Sequence, residues 1–464
     1  MGGRKQPTGG ARRGERIDIQ LGKFDRDGTI PVNAAGRRIQ IEGGIPTETV
    51  RVALQGQGNH WRGRIIAVLD PAPERTTPIC PVVAVCGGCE WQQLDQAGQL
   101  RHKAAILRRL LAARRLPTRI DEIVPMPDPW CYRVRAQIAL GAHAGFRELR
   151  SKRIVRLTAC PVVHSLIDRL LEQLNRLVKL GELPDFGGKL LLHAQVVGPE
   201  GDRRLQLLLD GAALQNAGVP LDEIASALGR LRGVDSVAYR DLQGGIQSLV
   251  GELFAPVAIG GRTYFLPAGS FFQSNLQLLP DLLDRVCELA ALTGGEEVVD
   301  LYAGVGLFGL ALSDRAGQVT AIEIDPLAIN AARRTASAWR RTNVELIAAP
   351  AEEAMAGLPR LDRVIVDPPR TGLDRQVIDA LIVREPAAII YVSCNQATLA
   401  RDAAAFVQAG YAIEHLSLFD FYPQPVHMEV VMKLVRFTST PSPSGNRRRL
   451  AFPPKTARNR SLTC

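Results

Sequence analysis

Apolar and polar residues alternate along the first part of the chain, as in Arg16-Ile17-Asp18-Ile19, Arg38-Ile39-Gln40-Ile41 and Thr49-Val50-Arg51-Val52-Ala53, with frequent glycine between these runs. A period of two broken by turn residues predicts short strands with one buried face. Residues 1–70 are therefore expected to form a small β-barrel of the oligonucleotide-binding kind. Residues 71–78 read as a proline-bearing linker. Between about 125 and 260, strand-like runs at 133–140, 189–197, 205–209 and 236–239 mix with a helical pattern at 165–180, which predicts a mixed α+β segment. From 261 to 437 short apolar runs alternate with Ala- and Leu-rich helical stretches. These runs are Glu297-Val298-Val299-Asp300-Leu301, Val319-Thr320-Ala321-Ile322, Val364-Ile365-Val366 and Ile389-Ile390-Tyr391-Val392. Strand and helix in alternation predict an α/β, Rossmann-like domain with a doubly wound sheet.

Length and charge refine this division. A chain of 464 residues exceeds one hydrophobic core, so two or three domains are expected. Its net charge of +10 favours a polyanionic partner such as a nucleic acid. The charge is clustered: between Asp95 and Asp121 there is no acid, yet Arg101, Lys103, Arg108, Arg109, Arg114, Arg115 and Arg119 are present. Ile106, Leu107, Leu110 and Leu111 interleave at helical spacing, so residues 96–124 are expected to be a basic amphipathic helix joining the domains. Residues 438–464 combine Ser, Pro and Gly with Arg447-Arg448-Arg449 and carry no acid, which predicts a disordered basic tail. No stretch of eighteen apolar residues exists, and no apolar segment follows Met1-Gly2-Gly3-Arg4-Lys5. A membrane partner and a signal peptide are therefore not expected, and a cytoplasmic monomer is.

The chemistry concentrates in the last domain. Asp300-Leu301-Tyr302-Ala303-Gly304-Val305-Gly306 closes a strand with a glycine turn, where backbone can approach a ligand closely. The next strand ends in Glu323, placed for ribose hydroxyls, with Asp325 nearby, and a third ends in Asp367-Pro368-Pro369-Arg370. That order favours S-adenosylmethionine, and hence a class I methyltransferase domain, over a nicotinamide cofactor. Arg370 stands where exocyclic-amine methyltransferases carry an aromatic after Asp-Pro-Pro. A thiol, Cys394, ends the following apolar strand, where catalytic groups of open α/β folds gather.

Four of the eight cysteines form a second pattern. Cys80, Cys86-Gly87-Gly88-Cys89 and the distant Cys160 leave two short spacings and one lone thiol. Structural zinc usually shows two paired knuckles, so the ligand pattern favours a [4Fe-4S] cluster over zinc. Residues 71–95 with 125–260 are expected to form a central iron–sulfur domain that binds RNA, with the cluster in a structural role.

Several motifs carry a family resemblance. They are Phe271-Phe272-Gln273-Ser274-Asn275, the Asp300 to Gly306 loop, Asp367-Pro368-Pro369-Arg370-Thr371-Gly372, Tyr391-Val392-Ser393-Cys394-Asn395 with Arg401-Asp402, and the segment from Phe421 to Glu429. In this order they resemble the RNA uracil-5-methyltransferase family, and within it the iron–sulfur, TRAM-domain type acting on 23S ribosomal RNA. The resemblance implies that Cys394 is the nucleophile at carbon-6 of uracil and Glu429 the base that removes the carbon-5 proton. Gln273, Tyr302, Glu323 and Asp367 would bind S-adenosylmethionine, and 5-methyluridine would be the product. A transfer RNA uridine-54 enzyme and a non-catalytic RNA-binding assembly factor are the alternatives.

Overall fold

A computed structural model describes residues 14–437, apart from residues 35, 58–59, 211–213, 215–219 and 359–360. The basic tail expected at 438–464 lies outside the described residues.

The alternating N-terminal runs form β1 (Arg16–Gln20), β2 (Ile30–Ala34), β3 (Arg37–Glu42), β4 (Thr49–Gln57) and β5 (His60–Asp70). They make one five-stranded sheet in the order β1-β4-β5-β3-β2. Ile19, Ile39, Ile41, Val50, Val52 and Leu54 turn inward together, as the period of two requires. The sheet is curled and consistent with a small barrel. Buried Glu48 accepts from the Ile45 amide at 2.9 Å and pairs with Arg75 of the following segment.

Helix α1 (Gln96–Ala113) starts at Asp95, whose side chain accepts from the Gly98 amide, a usual N-cap. It is shorter than the 96–124 run suggested. Arg115 takes a left-handed φ of 58°, and Pro117 follows, which cannot continue the helix. Residues Glu122–Val124 instead form strand β6, an edge of the last sheet. The apolar side of α1 is divided between two cores: Ile106 packs with the N-terminal sheet, and Leu107 and Leu111 pack with the C-terminal domain.

The central sheet has seven strands: β7 (Arg135–Leu140), β8 (Ala144–Arg147), β9 (Ile154–Arg156), β10 (Leu190–Val197), β11 (Arg204–Asp210), β12 (Val234–Arg240) and β13 (Ile246–Val250). Helices α2 (Ser165–Leu180) and α3 (Leu221–Gly229) supply apolar faces to its core. A hairpin of β14 (Phe254–Ile259) and β15 (Arg262–Pro267) follows and packs on the last domain.

That domain reads α4 (Leu279–Ala290), β16 (Glu297–Leu301), α5 (Leu307–Leu312), β17 (Gln318–Glu323), α6 (Pro326–Ala338), β18 (Val344–Ala348), α7 (Ala351–Ala354) and β19 (Arg363–Val366). It continues with α8 (Arg375–Arg384), β20 (Ala388–Ser393), α9 (Gln396–Gln408), β21 (Tyr411–Phe419) and β22 (Glu429–Arg436). The sheet order is β18-β17-β16-β19-β20-β22-β21-β6, parallel from β18 to β20, with β22 inserted antiparallel beside β20. Successive residues of one strand enter opposite cores: Ile365 faces the layer of α4 to α6, and Val364 and Val366 face that of α8 and α9. Burial on both faces explains the unbroken apolar runs. No helix among the described residues is long and apolar enough to cross a membrane.

Candidate active site

The carboxyl ends of β16, β17, β19 and β20 open on one side of the sheet, where an open α/β fold binds its ligands. After β16, Tyr302 adopts a left-handed φ of 61°, a strained conformation for a residue with a side chain. Gly306, at φ 78°, begins α5, and a Cβ there would stand 2.9 Å from Leu310 Cδ1. Only glycine fits that turn. Asp300, fully buried beneath it, accepts from the Gly309 amide at 2.7 Å, while its Oδ1 has no partner among the described residues. Burial, with Asp367 and Glu323 nearby, pushes this carboxyl up to about 8 against the pull of that amide.

Glu323, at the end of β17, accepts from the Gly304 amide and from the Asp325 amide, each at 2.9 Å. Asp325 in turn caps α6 and accepts from Ser270 Oγ at 2.9 Å. Tyr302 and Glu323 line a cleft of about 660 Å³, together with Ile324, Pro350, Glu352 and Asp374. Ile324 is 67% exposed, an apolar wall suited to one face of a flat ring. The cleft's floor is fixed by a network whose side chains the family resemblance included without giving them a role. Buried Asp402 accepts from Tyr391 Oη at 2.8 Å and from the Leu373 amide at 2.9 Å, and Arg401 donates to it at 2.6 Å.

The remaining residues gather next to this cleft. Gln273 is buried and donates to Asp367 Oδ2 at 3.3 Å, and its Oε1 has no partner among the described residues. Ser393 and Val430 are register partners in β20 and β22, so the next step of that ladder sets Cys394 opposite Glu429. Asn395 caps α9 and donates to the Arg370 carbonyl at 2.7 Å, joining the thiol's strand end to the Asp-Pro-Pro-Arg loop. Burial pushes the Cys394 thiol up to about 12, with Glu429 and Asp367 adding to it and Arg370 opposing. Glu429, 1% exposed, is raised well above the usual carboxylate range by burial, then by Asp367, while Arg370 and the Tyr422 hydroxyl pull it down. One of its oxygens, Oε1, has no partner among the described residues. A thiol, a buried carboxyl and an exposed guanidinium thus converge beside a nucleotide-sized cleft.

The sequence of residues 255–437 matches the family model of tRNA (uracil-5-)-methyltransferases. Over these residues the chain is similar to the RNA uracil-5-methyltransferase family. It is 29% identical to the 23S rRNA (uracil(1939)-C(5))-methyltransferase RlmD of Vibrio cholerae, over 90% of this chain and 95% of that protein. It is 28% identical to an uncharacterized RNA methyltransferase of Halalkalibacterium halodurans, over 90% of this chain and 96% of the other. Among solved structures, the tRNA (uracil-54, C5)-methyltransferase of Pyrococcus abyssi in complex with S-adenosyl-L-homocysteine aligns with a TM-score of 0.72. It is 25% identical and covers 90% of this chain and 99% of its own. The chain is thus an S-adenosylmethionine-dependent RNA uracil-5-methyltransferase, and its fold is the mixed α/β methyltransferase fold expected from the strand pattern.

The second predicted site is lined by a different set of residues. Cys80, Cys86, Cys89 and Cys160 are free thiols and line one cavity of about 660 Å³. Among the described residues, no group of three or more His, Cys, Asp or Glu stands at metal-binding spacing. Burial pushes Cys89 up to about 12, opposed by Gln92 and Arg133. Arg133 lines the same cavity, and its Nε has no partner among the described residues. An all-sulfur donor set beside an incompletely paired guanidinium fits an anionic thiolate-held group better than four neutral thiols.

Proposed function

We propose that the chain methylates carbon-5 of a uridine in 23S ribosomal RNA through a covalent adduct between Cys394 and carbon-6. The observation that carries this reading is the placement of Cys394 and Glu429 at adjacent ends of β20 and β22. When bound, S-adenosylmethionine supplies the methyl group on a sulfonium cation, whose charge favours the Cys394 thiolate. That thiolate adds to carbon-6, and the electron pair released to carbon-5 displaces the methyl group from sulfur, forming the carbon–carbon bond. The Glu429 carboxylate then takes the carbon-5 proton. The carbon-6–sulfur bond breaks as the ring double bond re-forms, which frees Cys394. Gln273 and Asp367, bonded to one another, and Tyr302 and Glu323 in the cleft hold the cofactor in this reading. The base inside a folded RNA would be flipped into the crevice, with the exposed Arg101, Arg108, Arg109, Arg114, Arg115 and Arg119 on and after α1 holding phosphates. The monomeric, cytoplasmic setting belongs to the same proposal.

Likeness to the Pyrococcus abyssi enzyme supports a second reading, uridine 54 of transfer RNA, because that protein aligns over the N-terminal and central regions as well. Radiolabelled methyl donor incubated with unmodified 23S RNA and unmodified transfer RNA, followed by digestion to nucleosides, separates the two. Label in 5-methyluridine from 23S RNA supports the first reading, and label from transfer RNA alone replaces it with the second.

A [4Fe-4S] cluster on Cys80, Cys86, Cys89 and Cys160 completes the proposal. It would tie the 80–89 segment to Cys160, which lies just before α2. Iron and acid-labile sulfide near four per chain, with loss of both in Cys86→Ser, is the expected result. Zinc in place of iron would refute it.

A further inference from the structure

The segment between β21 and β22 has no helix or strand of its own, yet its backbone is held on both sides by side chains from distant parts of the chain. Lys103 of α1 donates to Asp420 Oδ1 at 2.7 Å and to the Tyr422 carbonyl at 2.8 Å. One turn earlier, Gln99 donates to Gln424 Oε1 at 3.1 Å and accepts from the Gln424 amide at 2.8 Å. Gln99 and Lys103 share one face of the helix, as residues four apart do. Thus α1 grips residues 420, 422 and 424. From other elements, Asn275 donates to the Phe421 carbonyl and Tyr132 to the Pro423 carbonyl, each at 2.9 Å. Alternate residues of one stretch are therefore held by two different sets of donors, five residues before Glu429.

The chemistry of this grip is unusual for a purely structural contact. Lys103 and Asp420 are both without exposed surface. A buried ion pair commonly stabilises a fold no more than apolar side chains of equal volume would, because both charges lose their water. What such a pair supplies is a defined register, since a slip by one residue would strand two charges. The Tyr422 hydroxyl is also among the groups that pull the Glu429 carboxyl down, so the placement of residue 422 bears on that carboxyl.

We propose that Gln99 and Lys103 of helix α1 are positioning residues for Glu429, fixing the register of residues 420–424 and thereby the reach of that carboxyl toward carbon-5 of the substrate. The inference rests on Glu429 being the base. In that role it acts after methyl transfer, so a displaced carboxyl leaves the adduct formed but slow to resolve. A one-ångström displacement of a reacting group lowers the rate on the order of 100-fold.

The test compares Lys103→Met, Gln99→Met and Glu429→Gln in the full-length protein with unmodified substrate RNA. Denaturing gels read the covalent protein–RNA adduct, calorimetry reads S-adenosylmethionine binding, and steady-state assays read kcat and KM. For Lys103→Met we expect kcat to fall about 10- to 100-fold, with accumulated adduct, unchanged cofactor affinity and little change in KM. Gln99→Met retains the ion pair and should show the same signature more weakly, with thermal melting of both variants checking that they fold. Adduct accumulation is the readout that loss of packing alone would not produce. Wild-type turnover in both variants, or lowered activity with no adduct, would overturn the proposal while adduct in Glu429→Gln upheld the base. No adduct in Glu429→Gln would instead overturn the reading of the base, and the positioning role with it.

Discussion

The two sides of the crevice are built differently. On the cofactor side the contacts are shorter in sequence: Asp300 to Gly309, Glu323 to Gly304, Asp402 to Tyr391 and Asp402 to Leu373 span 9 to 29 residues, and Ser270 to Asp325 and Gln273 to Asp367 span 55 and 94. On the side of Glu429 the contacts that hold residues 420–424 span 146 to 325 residues. The first side can form as soon as its strands pair. The second requires the helix after the N-terminal sheet, the start of the central domain and the Phe271 loop region to dock together. In the proposed reading, binding of the methyl donor is therefore a property of one domain, whereas completion of the reaction depends on the assembled molecule.

The strongest way to separate the two sides is Cys394→Ala. It should lower single-turnover methyl transfer on the order of 10⁴-fold or more, while calorimetric affinity for S-adenosylmethionine stays within about twofold. Equal loss of binding would mean that the thiol side and the cofactor side are not separable. Next in size, Glu323→Gln attacks the cofactor side alone. Both carboxylate oxygens accept backbone amides at 2.9 Å, and an amide side chain would turn one acceptor into a donor facing an N–H group. Cofactor affinity should weaken roughly 10- to 100-fold, as for one or two lost charge-assisted bonds, with kcat at saturation little changed. A smaller effect is expected from Tyr391→Phe, which leaves buried Asp402 with one donor fewer. Thermal unfolding should report about 1–3 kcal/mol of destabilisation, and the Thr371-to-Leu373 stretch should gain amide exchange.

How much of this was legible follows the same division. The strand runs of the last domain and the alternating runs at the N-terminus appear in the sheets because burial on two faces or on one leaves a direct periodic mark. Tyr302, Glu323, Asp367 and Cys394 stood out as candidates because each lies at a strand end beside its own motif. Lys103 could not. In a run of seven basic residues it reads as one more surface cation, and only the partner 317 positions away reverses that reading. The end of α1 was also hidden, because basic charge continues through Arg119 past the point where the left-handed Arg115 and Pro117 stop the helix. Ile324 was missed because one apolar residue after a strand carries no periodic signal.

The mildest prediction probes the cofactor side through pH. Asp300 is raised from its ordinary value to about 8, with burial the first cause. In the unfolded chain the same carboxyl releases its proton near 3.8. Between those two values the folded state binds more protons than the unfolded one, so stability falls as pH rises across that window. The contribution is complete below about 3.8 and lost by about 8. Asp300→Asn preserves an acceptor for the Gly309 amide, which the wild-type side chain meets at 2.7 Å, and it cannot ionise. The variant should therefore melt higher than wild type at pH 8, with a clearly smaller gap at about pH 5, since the effect grows from about 3.8 to about 8. Wild type and variant differing equally at both values would remove Asp300 ionisation as the cause and leave only a packing effect. The gap should also be confined to the cofactor side, because the contacts that hold residues 420–424 do not involve Asp300. Adduct formation by the same variant at pH 5 should then match wild type.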